Sequence, residues 1–313
     1  TTDGISGGSY EVKPAHGGSW DENYGVGGER DGENYSFSTR DGELVTFSYD
    51  LGTHELRIDS GSPQPEGAGK QLGHFVDAGT IAWPADLVAD GEGTRWELFT
   101  APEGGLAVED GTVTGGESLG DLTLRDEPLD SSELSGRAHL QDFLALDLPE
   151  LDRSVLEAAL RGELAVAQYG PDGLEVFTGL QIPGVLDDLY AEGAADQELG
   201  VSWQDGTPTL SLWAPTAKDV TLQLHGPAAE AAEATAAPTE IAMERGPGGV
   251  WTAEGDAEWT DQAYTYAVEV FVPQLGEVTT NTVTDPYSVG LTLNSQHSVV
   301  LDLEDPRWAP EIW

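Results

Sequence analysis

The 313 residues contain no cysteine, so disulfides and thiolate metal sites are excluded. Lysine is nearly missing as well: Lys13, Lys70 and Lys218 are all there is, beside ten arginines. No stretch of ~20 apolar residues occurs, the length a helix needs to span a bilayer. The start at Thr1 lacks the charged-then-apolar pattern of a signal peptide, as expected of an excerpt or a processed product. Positive charge is scarce, 13 basic against 57 acidic residues for a net charge of −44. A surface this negative repels nucleic acid and anionic membranes, so neither is an expected partner.

The chain does contain turns and aromatic residues. Forty Gly and 18 Pro break the sequence into short apolar runs, which predicts many turns and few long helices. Nine Trp, nine Tyr and seven Phe argue for packed cores rather than the disorder that acid excess alone can produce. The length allows two or three domains. Dense carboxylates with little Lys are expected of a protein kept hydrated in high salt, where screening over a few ångströms removes self-repulsion. An acidic secreted protein from ordinary salt is the other reading.

Read in order, the chain predicts tandem β domains. Tyr10–Lys13, Tyr35–Ser38, Glu43–Tyr49 and Glu55–Ile58 read as strands, the middle two around a turn at Asp41-Gly42. Four strands are few for a stable sandwich, so this segment reads as part of a module. Ser60–Gly69, with its Pro/Gly punctuation, reads as a linker. Strand candidates follow at Thr80–Trp83, Arg95–Thr100, Leu119–Leu124 and Phe143–Leu148, then Leu164–Tyr169 and Leu174–Gln181. One helix is expected over Asp152–Arg161, with Ser154 and Glu157 as a capping box and Gly162 as its stop. Gly184–Tyr190 suggests a short helical turn and Glu192–Glu198 a second linker. From Leu199 onward, Leu210/Leu212, Val220/Leu222/Leu224 and Tyr264–Val272 alternate as half-buried strands do. An Ala/Glu insertion between His225 and Pro238 reads as a loop tip.

Several motifs carry a resemblance. Leu212-Trp213-Ala214-Pro215-Thr216-Ala217 followed by Val220-Thr221-Leu222 resembles the first strand of family 48 carbohydrate-binding modules. Gly249-Val250-Trp251, Tyr264-Thr265-Tyr266 and Val283-Thr284-Asp285-Pro286-Tyr287-Ser288 continue the match. With Asn294-Ser295 and Leu301-Asp302-Leu303, the last of these looks like the hand-over into a pullulanase-type debranching enzyme of glycoside hydrolase family 13. His74–Pro84 and Leu180–Tyr190 resemble the second N-terminal domain of bacterial pullulanases, and Gly18–Asn34 a small β-module found beside starch-binding domains. The resemblance implies an all-β fold of tandem Ig-like or fibronectin-like β-sandwiches, the middle one carrying one short helix. Its implied domains are a partial β-module over 1–59, a linker over 60–70, the pullulanase second N-terminal domain over 71–198 and the family 48 module over 199–305. Residues 306–313 would begin the connection to a catalytic barrel.

That resemblance implies a non-catalytic N-terminal region of a secreted, extracellular enzyme acting on α-glucans such as starch, pullulan and glycogen, with the barrel of the same parent chain as partner. Family 13 hydrolysis needs two carboxyl groups ~5–5.5 Å apart on a (β/α)₈ barrel of ~250 residues with alternating strands and helices, and no such region is read in the sequence, so no catalytic residue is assigned. A structural spacer and solubility arm without sugar affinity is the runner-up; a surface-layer segment fits the tandem β pattern but not the motifs. A monomer is expected.

Paired acids such as Asp21-Glu22, Asp187-Asp188 and Glu304-Asp305 carry little information among 57 carboxylates. The six His show no zinc spacing. Asp31-Gly32-Glu33-Asn34 offers oxygen ligands to calcium but lacks the full spaced pattern, so no cofactor is required and an Asx turn is the alternative. Sugars present flat C–H faces that match exposed aromatic rings flanked by amides or carboxylates. Trp20, Tyr24 and Asn34 in one Gly-rich loop, and Trp251 and Trp259 around a Gly-Asp turn, are therefore the carbohydrate-binding candidates. Trp213, Trp83, Trp96, Tyr264 and Tyr266 read as core. Asp285, Tyr287, Trp308 and Trp313 are expected at the seam with the absent barrel, where the two Trp would be apolar surface awaiting a cover.

Overall fold

The computed structural model describes residues 5–39, 44–61, 65–88, 93–109, 111–231 and 236–308. Two compact units result, one over residues 1–68 with 108–112 and one over the remainder.

In the first unit, β1 (Gly8–Val12) pairs antiparallel with β2 (Tyr35–Thr39), and β3 (Leu44–Tyr49) with β4 (Leu56–Gly61). The expected strands are thus present as two separate ribbons. The Asp41-Gly42 turn lies outside the described residues, as do residues 62–64 of the expected linker, whose first residues Ser60 and Gly61 end β4. The loop between β1 and β2 is held by its own backbone: the Tyr24 N–H donates to Pro14 O at 3.0 Å and the Val26 N–H to Glu33 O at 2.9 Å.

The second unit opens with β5 (Gln71–Asp77), β6 (Thr80–Pro84) and β7 (Arg95–Ala101). After a short excursion through β8 (Ala107–Glu109) and β9 (Thr112–Thr114) come β10 (Glu117–Leu124) and β11 (Phe143–Asp147). Helix α1 (Arg153–Ala159), β12 (Glu163–Gly170), β13 (Gly173–Gln181) and α2 (Pro183–Ala195) complete this part. The expected sandwich is corrected here: β10-β11-β6-β5-β13-β12-β7 form a single closed barrel. Closure comes from the parallel pairing of β13 with β5 and the antiparallel pairing of β7 with β10. Alternation in sequence reports only that one face of a strand is buried, which is as true in a barrel as in a sandwich.

Inside the barrel sit Phe75, Ile81, Trp83, Trp96, Leu98, Leu146 and Val166. The unbroken apolar run of β6 is explained by a second layer, because Val76, Ala82 and Ala145 on the outer face pack against Leu129 and Leu140. Arg125 pins this covering segment down, donating to Asp147 and Glu133 carboxylates and to the Thr80 hydroxyl. Polar side chains also lie among the apolar ones, Thr100, Thr178 and, the largest, Gln168. Gln168, fully buried, accepts at Oε1 from Trp83 Nε1 at 2.9 Å and Trp96 Nε1 at 3.1 Å, and its Nε2 donates to Leu87 O at 2.7 Å.

The helices also depart from expectation. The capping box is not made: Asp152 is the N-cap of α1 without a side-chain cap bond, and Glu157 instead accepts from Arg153 Nε at 2.8 Å. The anticipated single helix is joined by α2, which runs through most of the Glu192–Glu198 stretch read as a linker. Ala and Gly there look like flexible spacer in isolation, but tertiary contact holds them helical. A Cβ on Gly193 would stand 3.0 Å from Gly248 Cα, and one on Gly248 (φ +68°) 2.5 Å from Gly193 C, so backbone meets backbone.

The third part has two sheets, and its alternating strands each bury one face. One is β14 (Gly200–Gln204), β15 (Thr207–Trp213), β19 (Val250–Glu254) and β18 (Glu244–Arg245). The other is β17 (Thr239–Ala242), β16 (Asp219–Pro227), β20 (Gln262–Val272) and β21 (Glu277–Val283), with β22 (Ser298–Val299) also on β20. Leu210, Leu212 and Trp251 of the first sheet share a core with Val220, Leu222, Tyr264 and Tyr266 of the second. Residues 232–235 of the Ala/Glu insertion lie outside the described residues.

Two outcomes follow. Gln168→Leu leaves two indole N–H groups buried without an acceptor, each costing ~1–3 kcal/mol. Urea unfolding followed by Trp fluorescence should show a loss of about 2–5 kcal/mol, and a loss below about 1 would mean that water replaces the amide. Gly248→Ala should strip amide-exchange protection from α2, because the new Cβ cannot coexist with the Gly193 backbone; unchanged protection over 183–195 contradicts that docking.

Candidate functional site

In the first unit, aromatic and imidazole rings converge. The Asp50 carboxylate caps a turn by accepting from the Gly52 and Thr53 N–H groups at 2.7 and 2.9 Å, bonds that lower its pKa. The turn ends at His54 in a left-handed conformation, φ +60°. This sets the His54 ring flat against Tyr24, with centroids 3.9 Å apart and planes within 7°. Tyr49 OH stands between His54 Nδ1 (3.1 Å) and His16 Nε2 (2.9 Å). Glu22 Oε1 accepts from Tyr24 OH at 2.8 Å and lies 3.1 Å from His16 Nδ1. Bonding to Tyr24 and then His16 lowers the Glu22 pKa, while the carboxylate raises that of Tyr24.

Of the three candidates in this loop, the structure places only Trp20 as an open platform. It is 69% exposed, and its indole makes no hydrogen bond with the described residues. Tyr24 has one face taken by His54. Asn34 turns toward β1, donating to Glu11 Oε2 at 3.1 Å. The calcium reading finds Asp31 accepting from Asn23 Nδ2 at 2.8 Å, and among the described residues no three His, Cys, Asp or Glu side chains converge as a metal site. His16, Tyr49 and His54 were missed from sequence because they are distant in the chain and only the αL turn brings them together.

In the sandwich, Trp251 is corrected from platform to core. It is 5% exposed, and Nε1 donates to Ala214 O at 3.0 Å. Its place on the inner face of β19 leaves no ring for a sugar. Trp259 is half-buried, seated over Gly255, with the Asp256 side chain capping the turn that carries it. Trp213, expected in the core, is half-buried and donates to Gly248 O at 2.9 Å.

Asp285, expected at the seam with the barrel, is buried where the chain leaves the sandwich. Its Oδ2 accepts from Tyr264 OH at 2.7 Å and Tyr266 OH at 3.4 Å, and its Oδ1 from the Tyr287 N–H at 2.8 Å. The Asp285 N–H donates to Ser298 Oγ at 2.9 Å, tying the outgoing chain to β22. Burial raises the Asp285 pKa despite these donors, and raises both tyrosines well above the ordinary phenol value.

Beyond this anchor the chain presents apolar side chains to solvent: Val289, Leu291, Leu293, Leu303, and the half-exposed Tyr287 and Trp308. Leu293 is held outward by a tight turn in which Asn294 and Ser295 both have positive φ, +60° and +56°, a conformation non-glycine residues seldom hold. Arg307 secures the last described turn through Asp261 and Asp305. Trp313 lies outside the described residues.

Comparison with known proteins assigns these parts. Residues 70–188 match the family model of the pullulanase N2 domain, 198–288 that of carbohydrate-binding module 48 (isoamylase N-terminal domain), and 1–56 that of the pullulanase X25 domain. These are pullulanase N-terminal domains. The chain is 31% identical to a pullulanase of Klebsiella pneumoniae over 257 residues, 77% of this chain and 21% of that protein. It is 28% identical to the chloroplastic pullulanase 1 of Arabidopsis thaliana, over 77% of this chain and 24% of that one. The crystal structure of K. pneumoniae pullulanase with maltotriose superposes at a TM-score of 0.68 and 28% identity, covering 78% of this chain and 22% of that one. The chain therefore spans between a fifth and a quarter of the length of these relatives.

In the family 48 module, Asp285 gives a pH test. Its folded pKa is raised, so the folded state binds the proton more tightly than the unfolded state. Its contribution to stability therefore falls as pH rises from the unfolded value, about 3.9, through the raised folded value, and is flat above. Asp285→Asn removes that titration. The wild-type-minus-variant unfolding free energy should decline just above about pH 4 and then level off; a difference independent of pH would contradict the raised value.

Proposed function

We propose that this chain is the non-catalytic N-terminal region of a secreted pullulanase-type enzyme that debranches α-1,6-linked glucans. Its roles are to carry the catalytic barrel against the family 48 module and to hold starch weakly through the first module. The observation that carries this reading is the apolar surface around Tyr287, Leu293 and Trp308, fixed in place by the Asp285 anchor and by Arg307. Exposed apolar surface of this kind, on a chain that spans a fifth to a quarter of its relatives, suits a covering domain. The relative solved with maltotriose supports an α-glucan as the ligand class.

Within this reading, Trp20 is the sugar platform, and Tyr287 and Trp308 belong to the seam, with Trp313 as its expected continuation. The acidic surface, with its net charge of −44, keeps the enzyme hydrated at high salt. The spacer reading has one observation in its favour: Trp251 is buried in the sandwich and offers no ring to a sugar.

Native electrophoresis in a starch-containing gel tests the binding role. Migration of the chain should be retarded relative to a starch-free gel, and Trp20→Ala should restore it. Unaltered migration at matched salt leaves the spacer. Release of reducing ends from pullulan by this chain would overturn the non-catalytic assignment.

A further inference from the structure

Within the second unit, the barrel and the sandwich meet along a cleft that none of the assigned roles uses. It has two adjoining lobes of about 360 and 370 Å³, both lined by Gln71, Leu164, Phe271 and Pro273. Arg161 lines the first lobe and Lys70 the second. Small-molecule sites are commonly of this size and commonly lie at domain junctions.

The junction is firmly made, so the cleft is a preformed feature. Gly193 and Gly248 meet backbone to backbone, Lys218 pairs with Glu103, and Gly104 bridges Glu277. The Gly104 backbone also braces Phe271: a Cβ there would lie 2.8 Å from the ring. Phe271 is on the end of β20, where the strand runs past the core and burial falls to half. An aromatic ring is thus held at the cleft without being absorbed into either core.

The polar lining is the second observation. Neither the Arg161 guanidinium nor the Lys70 ammonium makes a hydrogen bond or ion pair with the described residues. In a chain with 57 acids for 13 cations, two cations without a partner among the described residues line one cleft whose carboxylate, Glu163, already accepts from the Leu106 N–H at 2.9 Å, and they call for an acceptor-bearing ligand. A purely apolar occupant would desolvate these donors without replacing their hydrogen bonds. An anion would have to enter against the field of the whole molecule. A neutral polyhydroxylated ligand meets neither cost: its C–H faces suit Phe271 and Pro273, and its hydroxyl oxygens accept from Arg161, Lys70 and Gln71.

We propose that this cleft binds a short linear α-glucan, with Phe271 and Pro273 as its apolar platform and Arg161, Lys70 and Gln71 as hydroxyl-binding donors. The choice of an α-glucan among neutral sugars rests on the pullulanase-type reading above. The ligand bridges barrel and sandwich, so its binding stabilises the docked pair.

Titration calorimetry on the full 313-residue chain with maltotriose tests this, with β-linked cellotriose as control. Maltotriose should bind and cellotriose should not. Measured in a Trp20→Ala background, so that the first module's platform adds no signal, Arg161→Gln, a change at a partly exposed position, and Phe271→Ala should each weaken maltotriose binding at least about tenfold, or ~1.4 kcal/mol. An unfolding midpoint for Arg161→Gln equal to that of the unmodified chain keeps its result independent of any packing damage in Phe271→Ala. Binding that survives both cleft substitutions, or is lost with Trp20→Ala alone, overturns the cleft and leaves starch binding by the first module standing. Starch retardation without maltotriose binding overturns the cleft alone; absence of both overturns the cleft and the starch-holding role together. Equal binding of cellotriose overturns the α-glucan class.

Discussion

The amide of Gln168 is fully buried among the barrel's apolar side chains, and its hydrogen bonds tie together two large rings of that interior. By accepting from both Trp83 and Trp96 it fixes two large rings, one from the neighbouring strand β7 and one from β6, which does not pair with the strand that carries it. Its remaining donor reaches the Leu87 carbonyl beyond the end of β6. A buried amide left unpaired would be costly, so β6, β7 and β12 must keep their relative positions. The same barrel releases its chain into α2, and α2 is one of the elements that meet the sandwich, at Gly248.

The sandwich has a counterpart in Asp285. A carboxylate surrounded by two tyrosine hydroxyls and a backbone amide fixes where the chain leaves the last long strand. Beyond it, side chains such as Leu293 and Trp308 project to solvent although they are apolar. A polar, buried residue thereby determines where an apolar surface is displayed.

The candidate site was legible in part. Trp20 in its Gly-rich loop could be found by composition alone, since Gly leaves few neighbours to bury a ring. Trp251 could not be judged that way, because a Trp on a strand beside a turn is equally consistent with either face of the sheet, and pairing with Trp213–Thr209 of β15 decides which. His16, Tyr49 and His54 were invisible: their contacts cross long stretches of chain, and the αL turn at His54 leaves no signature in the residues. Asp285 was noticed for its motif, yet its burial depends on Tyr264 and Tyr266, more than a dozen residues away.

Local pattern by itself determined that this protein is mostly β, lacks disulfides, carries an acid-dense surface and shares the motifs of pullulanase N-terminal domains. Those properties follow from residue types and from their period of two, which each short segment carries within itself. Only the tertiary structure decided that the middle part is a barrel, because closure rests on β5 meeting β13 and β7 meeting β10 across the fold. It also turned an apparent linker into helix α2, through a contact between two glycines that a sequence keeps 55 residues apart. Long-range pairing is chosen by the free energy of the whole packed unit, and no window of neighbouring residues contains that choice.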